Sequence, residues 1–92
     1  MRIITANLNG IRSASTKGFF PWLETQNADI LGVQELKAQS ADLSPEMVQH
    51  ESLAANKTLK GAFHFAEKKG YSGVGIYSAL EPSDILLSLI HI

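Results

Sequence analysis

Two short apolar runs, each ending in a cluster of polar side chains, constrain this sequence more than any other feature. Residues 2–8 (RIITANL) are β-branched and apolar and stop at the turn pair Asn9-Gly10. Residues 29–34 (DILGVQ) form a second such run, followed by Glu35-Leu36-Lys37. Runs of this length, bounded by turn residues, read as buried strands. Between them Phe19, Trp22 and Leu23 recur at helical spacing, Ser13 and Ser15 offer N-caps, and Asn27 closes the segment. An amphipathic helix over 16–27 is expected, with Phe19, Trp22 and Leu23 as its core face. Pro21 fits the first turn of a helix better than its interior, so the regular part is expected to begin near Pro21.

The remainder continues the alternation. Ser44-Pro45-Glu46 combines an N-cap residue, a proline at the first helical position and an acid in the first turn, and predicts a helix running to about Lys57. Residues 62–66 (AFHFA) and 73–79 (GVGIYSA) predict two further strands, with Lys68-Lys69-Gly70-Tyr71 as the hairpin-like loop between them. Strand, helix, strand, helix, strand, strand is the order of an α/β chain with a mixed β-sheet and flanking helices. The chain has 92 residues, 45% hydrophobic and 18% charged, which suits one small globular domain.

Composition narrows the chemistry. There is no Cys, so disulfides, thiolate metal sites and Cys nucleophiles are excluded. No apolar run approaches the ~18 residues of a membrane-spanning helix. Residues 1–4 enter a strand pattern directly and lack a signal peptide's features, so a cytoplasmic location is expected. The net charge of −1 shows no basic excess of the kind that marks many nucleic-acid binders. A bound metal and a few local Arg or Lys residues are able to supply that field instead.

The polar strand ends carry the candidate chemistry. Adjacent strands ending on one edge bring Asn7, Asn9 and Glu35 together, and in open α/β sheets ligands bind at the carboxyl ends of strands. Oxygen ligands of this kind suit Mg²⁺ or Mn²⁺. Arg12 and Lys37 lie just beyond and are placed to hold phosphate oxygens. By residue type alone the same positions also read as a turn, a solvated acid and two surface cations.

A resemblance adds to this reading. The opening MRIITANLNGIRSASTKGFFPWL, the stretch ADILGVQELKAQ and the stretch AEKKGYSGVGIYS resemble three consecutive blocks of the exonuclease III / AP-endonuclease family, over most of residues 1–84 with a less typical middle at 48–61. The resemblance implies that residues 1–84 are the N-terminal part of a four-layered α/β sandwich of the DNase I-like kind. It implies hydrolysis of DNA phosphodiesters 5′ to abasic sites, and removal of nucleotides from 3′ ends, with Mg²⁺ or Mn²⁺ as cofactor. The implied partner is double-stranded DNA with abasic sites or 3′ ends.

Residue by residue, Glu35 matches the family's main metal-binding carboxylate. Asn7 matches the strand-end amide that helps order the metal site and the catalytic acid, so the resemblance implies a metal and catalytic role for Asn7. Asn9 matches a position near the metal and is expected among the DNA-binding residues. Arg12 and Tyr71 match DNA-backbone contacts, and Ser72 and Gly73 belong to the loop of Tyr71. Lys37 falls in a block whose usual form is Glu-Thr-Lys, where this chain has Leu36 in place of Thr. The family's later Asp-x-Asn element, its later catalytic Tyr and its Ser-Asp-His element have no counterpart in these 92 residues. His64, between Phe63 and Phe65, reads as a sheet-face residue, and His50 as a helix residue.

The similarity stops near Asp84. Residues 85–92 are apolar and end without a cap or turn, and are expected to be a truncated or non-native tail. Codons for LSLIHI, residues 87–92, resemble a transposon end used in sequencing-library preparation. A native edge strand is the other reading of the apolar pattern. Two other readings stand beside the repair enzyme. One is a phosphodiesterase of the same fold acting on RNA or a phospholipid. The other is a small α/β module that binds nucleic acid or protein without catalysis.

Overall fold

The computed structural model describes residues 2–53, 56–67 and 72–79. The two apolar runs become β1 (Ile3–Asn7) and β2 (Ile30–Gln34), paired in parallel with Ile3 opposite Ile30 and Asn7 opposite Gln34. They belong to one mixed sheet with β3 (Gln49–Ser52), β4 (Lys57–Phe65) and β5 (Gly73–Ser78), in the order β1-β2-β5-β4-β3. Apart from the β1–β2 pair, the neighbours are antiparallel. Among the described residues no helix is long and apolar enough to cross a membrane.

The connection between β1 and β2 carries two short helices rather than one. These are α1 (Ile11–Thr16) and α2 (Phe19–Glu24), separated by Gly18 in the left-handed region at φ 94°. A side chain at Gly18 would be strained by that backbone, so glycine here allows the break. Pro21 lies in the first turn of α2, as its missing N–H requires. Ile11, Phe20 and Leu23 are buried from these helices, and Trp22, expected in the core face, is 44% exposed.

The second predicted helix is overturned after one turn. Ser44-Pro45-Glu46 does start a helix, α3 (Pro45–Val48), but β3 follows at once. The burial of Gln49–Ser52 alternates, with His50 and Ser52 inward and Gln49 and Glu51 outward, and β3 pairs with β4 from Gln49 opposite Lys60 to Ser52 opposite Lys57. A period of two suits a strand edge, and the tertiary pairing overrides the helix-forming residues of this stretch. His50 is therefore a strand residue, and β4 begins at Lys57 rather than at residue 62.

The core lies between one face of the sheet and the helices. Leu31, Val33, Leu59 and Tyr77 from the sheet meet Ile11, Phe20, Leu23, Leu36 and Met47. Tyr77 is fully buried and donates its hydroxyl to the carbonyl of Met47, tying β5 to α3. Burial pushes that phenol's pKa up. Phe63 lies over two glycines: a Cβ at Gly75 would come within 2.6 Å of its Cδ1, and one at Gly61 within 2.6 Å of its Cζ. The other face carries Ile3, 63% exposed, and Val74, 37% exposed.

Two polar links hold the far parts of this frame. Asp29, just before β2, accepts the Arg2 backbone N–H at 2.6 Å and the Lys57 ammonium at 2.8 Å. Lys57, then Arg2, hold its carboxyl below the ordinary 3.8. Glu24 of α2 reaches β3, lying 3.4 Å from His50 Nε2 and accepting from Ser52 Oγ at 3.2 Å.

Burial of His50 lowers its pKa from the ordinary 6.5, against a smaller opposing pull from Glu24. The unfolded chain then takes up a proton that the folded one resists, so this contribution to stability is complete above 6.5 and is lost as pH falls below it. Protonation of Asp29 belongs to a lower window, beneath 3.8. Thermal melting compared at about pH 7 and about pH 5 is expected to show a larger drop for the wild type than for His50→Gln. Equal drops in the two proteins would remove His50 as the cause.

Candidate metal and phosphate site

Parallel pairing places the ends of β1 and β2 side by side, and the pairing continues past both strands. The backbone N–H of Leu8 donates to Gln34 at 3.0 Å, that of Gly10 to Glu35 at 2.9 Å and that of Ile11 to Leu36 at 2.9 Å. The loop after β1 is thereby fastened to the loop after β2. Leu36 N–H in turn donates to the carbonyl of Gly73 at 3.2 Å, which draws the start of β5 against the same loop.

This frame brings four of the expected side chains into one cluster. Asn7 donates its amide N–H to the carboxylate of Glu35. Its amide oxygen accepts the backbone N–H of Asn9 at 3.0 Å, the local bond by which an Asn shapes a turn. Asn9 Oδ1 accepts from the ammonium of Lys37 at 2.6 Å, and that ammonium lies 3.9 Å from Glu35 Oε1. Glu35 and Lys37 stay accessible, with side chains 39% and 40% exposed. An ion pair so exposed contributes at most about 1 kcal/mol to the fold.

Arg12, in the first turn of α1, stands beside this cluster. Its guanidinium makes a long contact of 3.5 Å to the Lys37 carbonyl and lies 3.7 Å from Asp42. Asp42 was not among the residues singled out from sequence. The signal was the spacing Gln39-x-x-Asp42, whose reciprocal side-chain-to-backbone bonds cap the turn Ser40–Asp42. Ser72 is exposed and Gly73 is half-buried beside Leu36, whereas Tyr71 lies outside the described residues, as do Lys68, Lys69 and the tail from residue 80. His64 is an exposed sheet-face residue on β4, opposite Val74.

The backbone itself marks the rim. Among the described residues, five non-glycine residues have positive φ: Asn9, Asn27, Glu35, Lys37 and Asn56. Asn visits this region readily, so the two positions that need explaining are Glu35 at 53° and Lys37 at 50°. Each costs on the order of 1 kcal/mol, and such strain concentrates where geometry serves a function. Leu36 between them is fully buried. The alternation sends Glu35 and Lys37 to the rim and Leu36 into the core, so Leu36 serves packing while the Glu35 carboxylate stays at the rim.

The donor set decides which ion fits. Among the described residues, no three of His, Cys, Asp and Glu gather at one point. A soft or fully protein-caged ion is therefore a poor match. A single carboxylate flanked by amides suits a hard ion that keeps most of its waters, as Mg²⁺ does. A groove of about 890 Å³ lies elsewhere, between α2 and the α3–β3 corner, and shares no side chain with this rim.

A mixed α/β sheet thus carries a carboxylate, two amides and two cations together at the ends of its parallel strand pair. Residues 4–90 match the Endonuclease/Exonuclease/phosphatase family, and the chain belongs to that family. It is 33% identical to an exodeoxyribonuclease of Bacillus subtilis over 97% of its own length, and 30% identical to a DNA-(apurinic or apyrimidinic site) endonuclease of Dictyostelium discoideum, again over 97%. It spans 32% and 23% of those two relatives. Its fold matches the structure of an AP endonuclease from Archaeoglobus fulgidus with a TM-score of 0.64 and 32% identity, covering 85% of this chain and 27% of that one. The family and the DNase I-like fold expected from sequence are thus found.

Because Leu36 fills the core, Leu36→Thr is expected to destabilise the protein by about 2 kcal/mol, through lost apolar burial and a hydroxyl placed among apolar neighbours. Chemical denaturation measures this, and an unchanged midpoint would show that the position tolerates either residue.

Proposed function

We propose that the chain contributes the Glu35 side of the active site of a divalent-metal-dependent DNA phosphodiesterase, of the exodeoxyribonuclease and AP-endonuclease kind. The observation that carries this reading is the Asn7–Glu35 contact at the joined ends of β1 and β2, with Lys37 and Arg12 on the same rim. The choice of DNA over other phosphodiesters rests on the activities for which the relatives are named.

In this reading Glu35 and Asn7, the two metal residues expected from the sequence, would hold Mg²⁺ or Mn²⁺, with Asn7 fixing the Glu35 carboxylate through its amide N–H and Asn9 offering a further amide oxygen beside them. The bound ion supplies charge stabilisation at a phosphate oxygen and the leaving 3′ oxygen. Arg12 holds the DNA backbone by bonds to phosphate oxygens, and Ser72 and Gly73 border the same strand path. The substrate is double-stranded DNA with an abasic site or a 3′ end. Activation of the attacking water is assigned to the later Asp and His elements that the family resemblance implies. These 92 residues alone are therefore expected to leave the substrate intact.

Two measurements test the proposal. Mn²⁺ binding, followed by the loss of the free-ion paramagnetic resonance signal, is expected to weaken by about tenfold or more in Glu35→Ala. Unchanged binding would remove Glu35 from the metal site. Incubation of the 92-residue chain with abasic-site duplex and Mg²⁺ is expected to yield no incision. Efficient cleavage would overturn the division of labour between this segment and the later elements.

A further inference from the structure

We infer that Lys37 is a resident cation of the metal site: its ammonium occupies the oxygens of Asn9 and Glu35 and yields them when a divalent ion binds. This rests on the metal reading above and assigns Lys37 a role before that of a phosphate contact.

Three observations carry it. The Lys37 ammonium is bonded to Asn9 Oδ1 at 2.6 Å and lies 3.9 Å from Glu35 Oε1, so it faces inward to the rim oxygens. The backbone directs it there, since Lys37 keeps a left-handed φ of 50° two residues after Glu35 at 53°. The contact is also replaceable: the Lys37 side chain is 40% exposed, and its four-carbon stem lets the ammonium swing outward.

The physics is competition between two cations for one pair of oxygens. A divalent ion held by Glu35 and Asn9 repels the ammonium and takes its acceptors. By linkage, whatever the ammonium gains from those acceptors is subtracted from the affinity for the ion, and the ion weakens the lysine's hold to the same degree. The gain to the protein is order at the rim: Glu35 has Asn7 on one oxygen and the Lys37 ammonium near the other, which keeps the carboxylate in place before any ion arrives. Once displaced, Lys37 presents three donors toward solvent beside Arg12, where a phosphate oxygen accepts them.

The experiment reads metal affinity and amine accessibility, neither of which requires turnover. Mn²⁺ binding is measured for wild type, Lys37→Met, Lys37→Arg and Glu35→Ala. Removing the charge in Lys37→Met is expected to tighten binding about threefold or more, and Lys37→Arg to stay near wild type. In parallel, acetylation of the wild-type protein by acetic anhydride is mapped by peptide mass. Mg²⁺ is expected to raise labelling of Lys37 and to leave the exposed Lys60 of β4 unchanged. Equal or weaker Mn²⁺ binding in Lys37→Met, or Lys37 labelling that ignores Mg²⁺, overturns the inference while leaving the metal reading intact. Wild-type binding that Glu35→Ala does not weaken overturns both.

Discussion

The parallel register of β1 against β2 is the constraint on which the rest depends. Asn7 and Glu35 are 28 residues apart, and they meet because the ladder continues through Leu8, Gly10 and Ile11 onto the carbonyls of Gln34, Glu35 and Leu36. Side chains alternate along a strand, so a slip of one residue would turn Asn7 to the core face and a neighbouring apolar residue to the rim. Burial of Leu31 and Val33 fixes the register from the core side. The site inherits its precision from packing it does not touch.

That same constraint explains the strain. Val33 faces the core and Gln34 faces away. A regular strand past Gln34 would therefore turn Glu35 and Lys37 to the core side and Leu36 to the outer side, the reverse of what is found. Left-handed backbone at both positions solves the geometry at a local cost. The bonds from Gly10, Ile11 and Leu36 offset it by holding the loop at several backbone points.

The parts of the fold that were legible in the sequence are those where pattern and burial agree. β1, β2 and β5 follow from β-branched apolar runs, and Asn7, Asn9 and Glu35 stand out because polar residues interrupt those runs at their ends. The failure at 49–57 has a specific cause. Glu46, Met47, Gln49 and Leu53 favour a helix locally, but His50 and Ser52 find inward partners only on a strand, at Glu24. The early start of β4 was hidden by Gly61, whose role depends on Phe63 lying across it. The Lys37–Asn9 bond was illegible for a different reason. It depends on backbone angles that no residue type in Glu-Leu-Lys announces.

The outward face of the sheet has a practical consequence. Ile3 on β1 is largely bare and Val74 on β5 partly so, and β1 has β2 as its partner among the described residues. An apolar, unshielded edge offers its spare N–H and C=O groups to any passing strand. A second strand laid against the open side of β1 would extend the sheet at that edge.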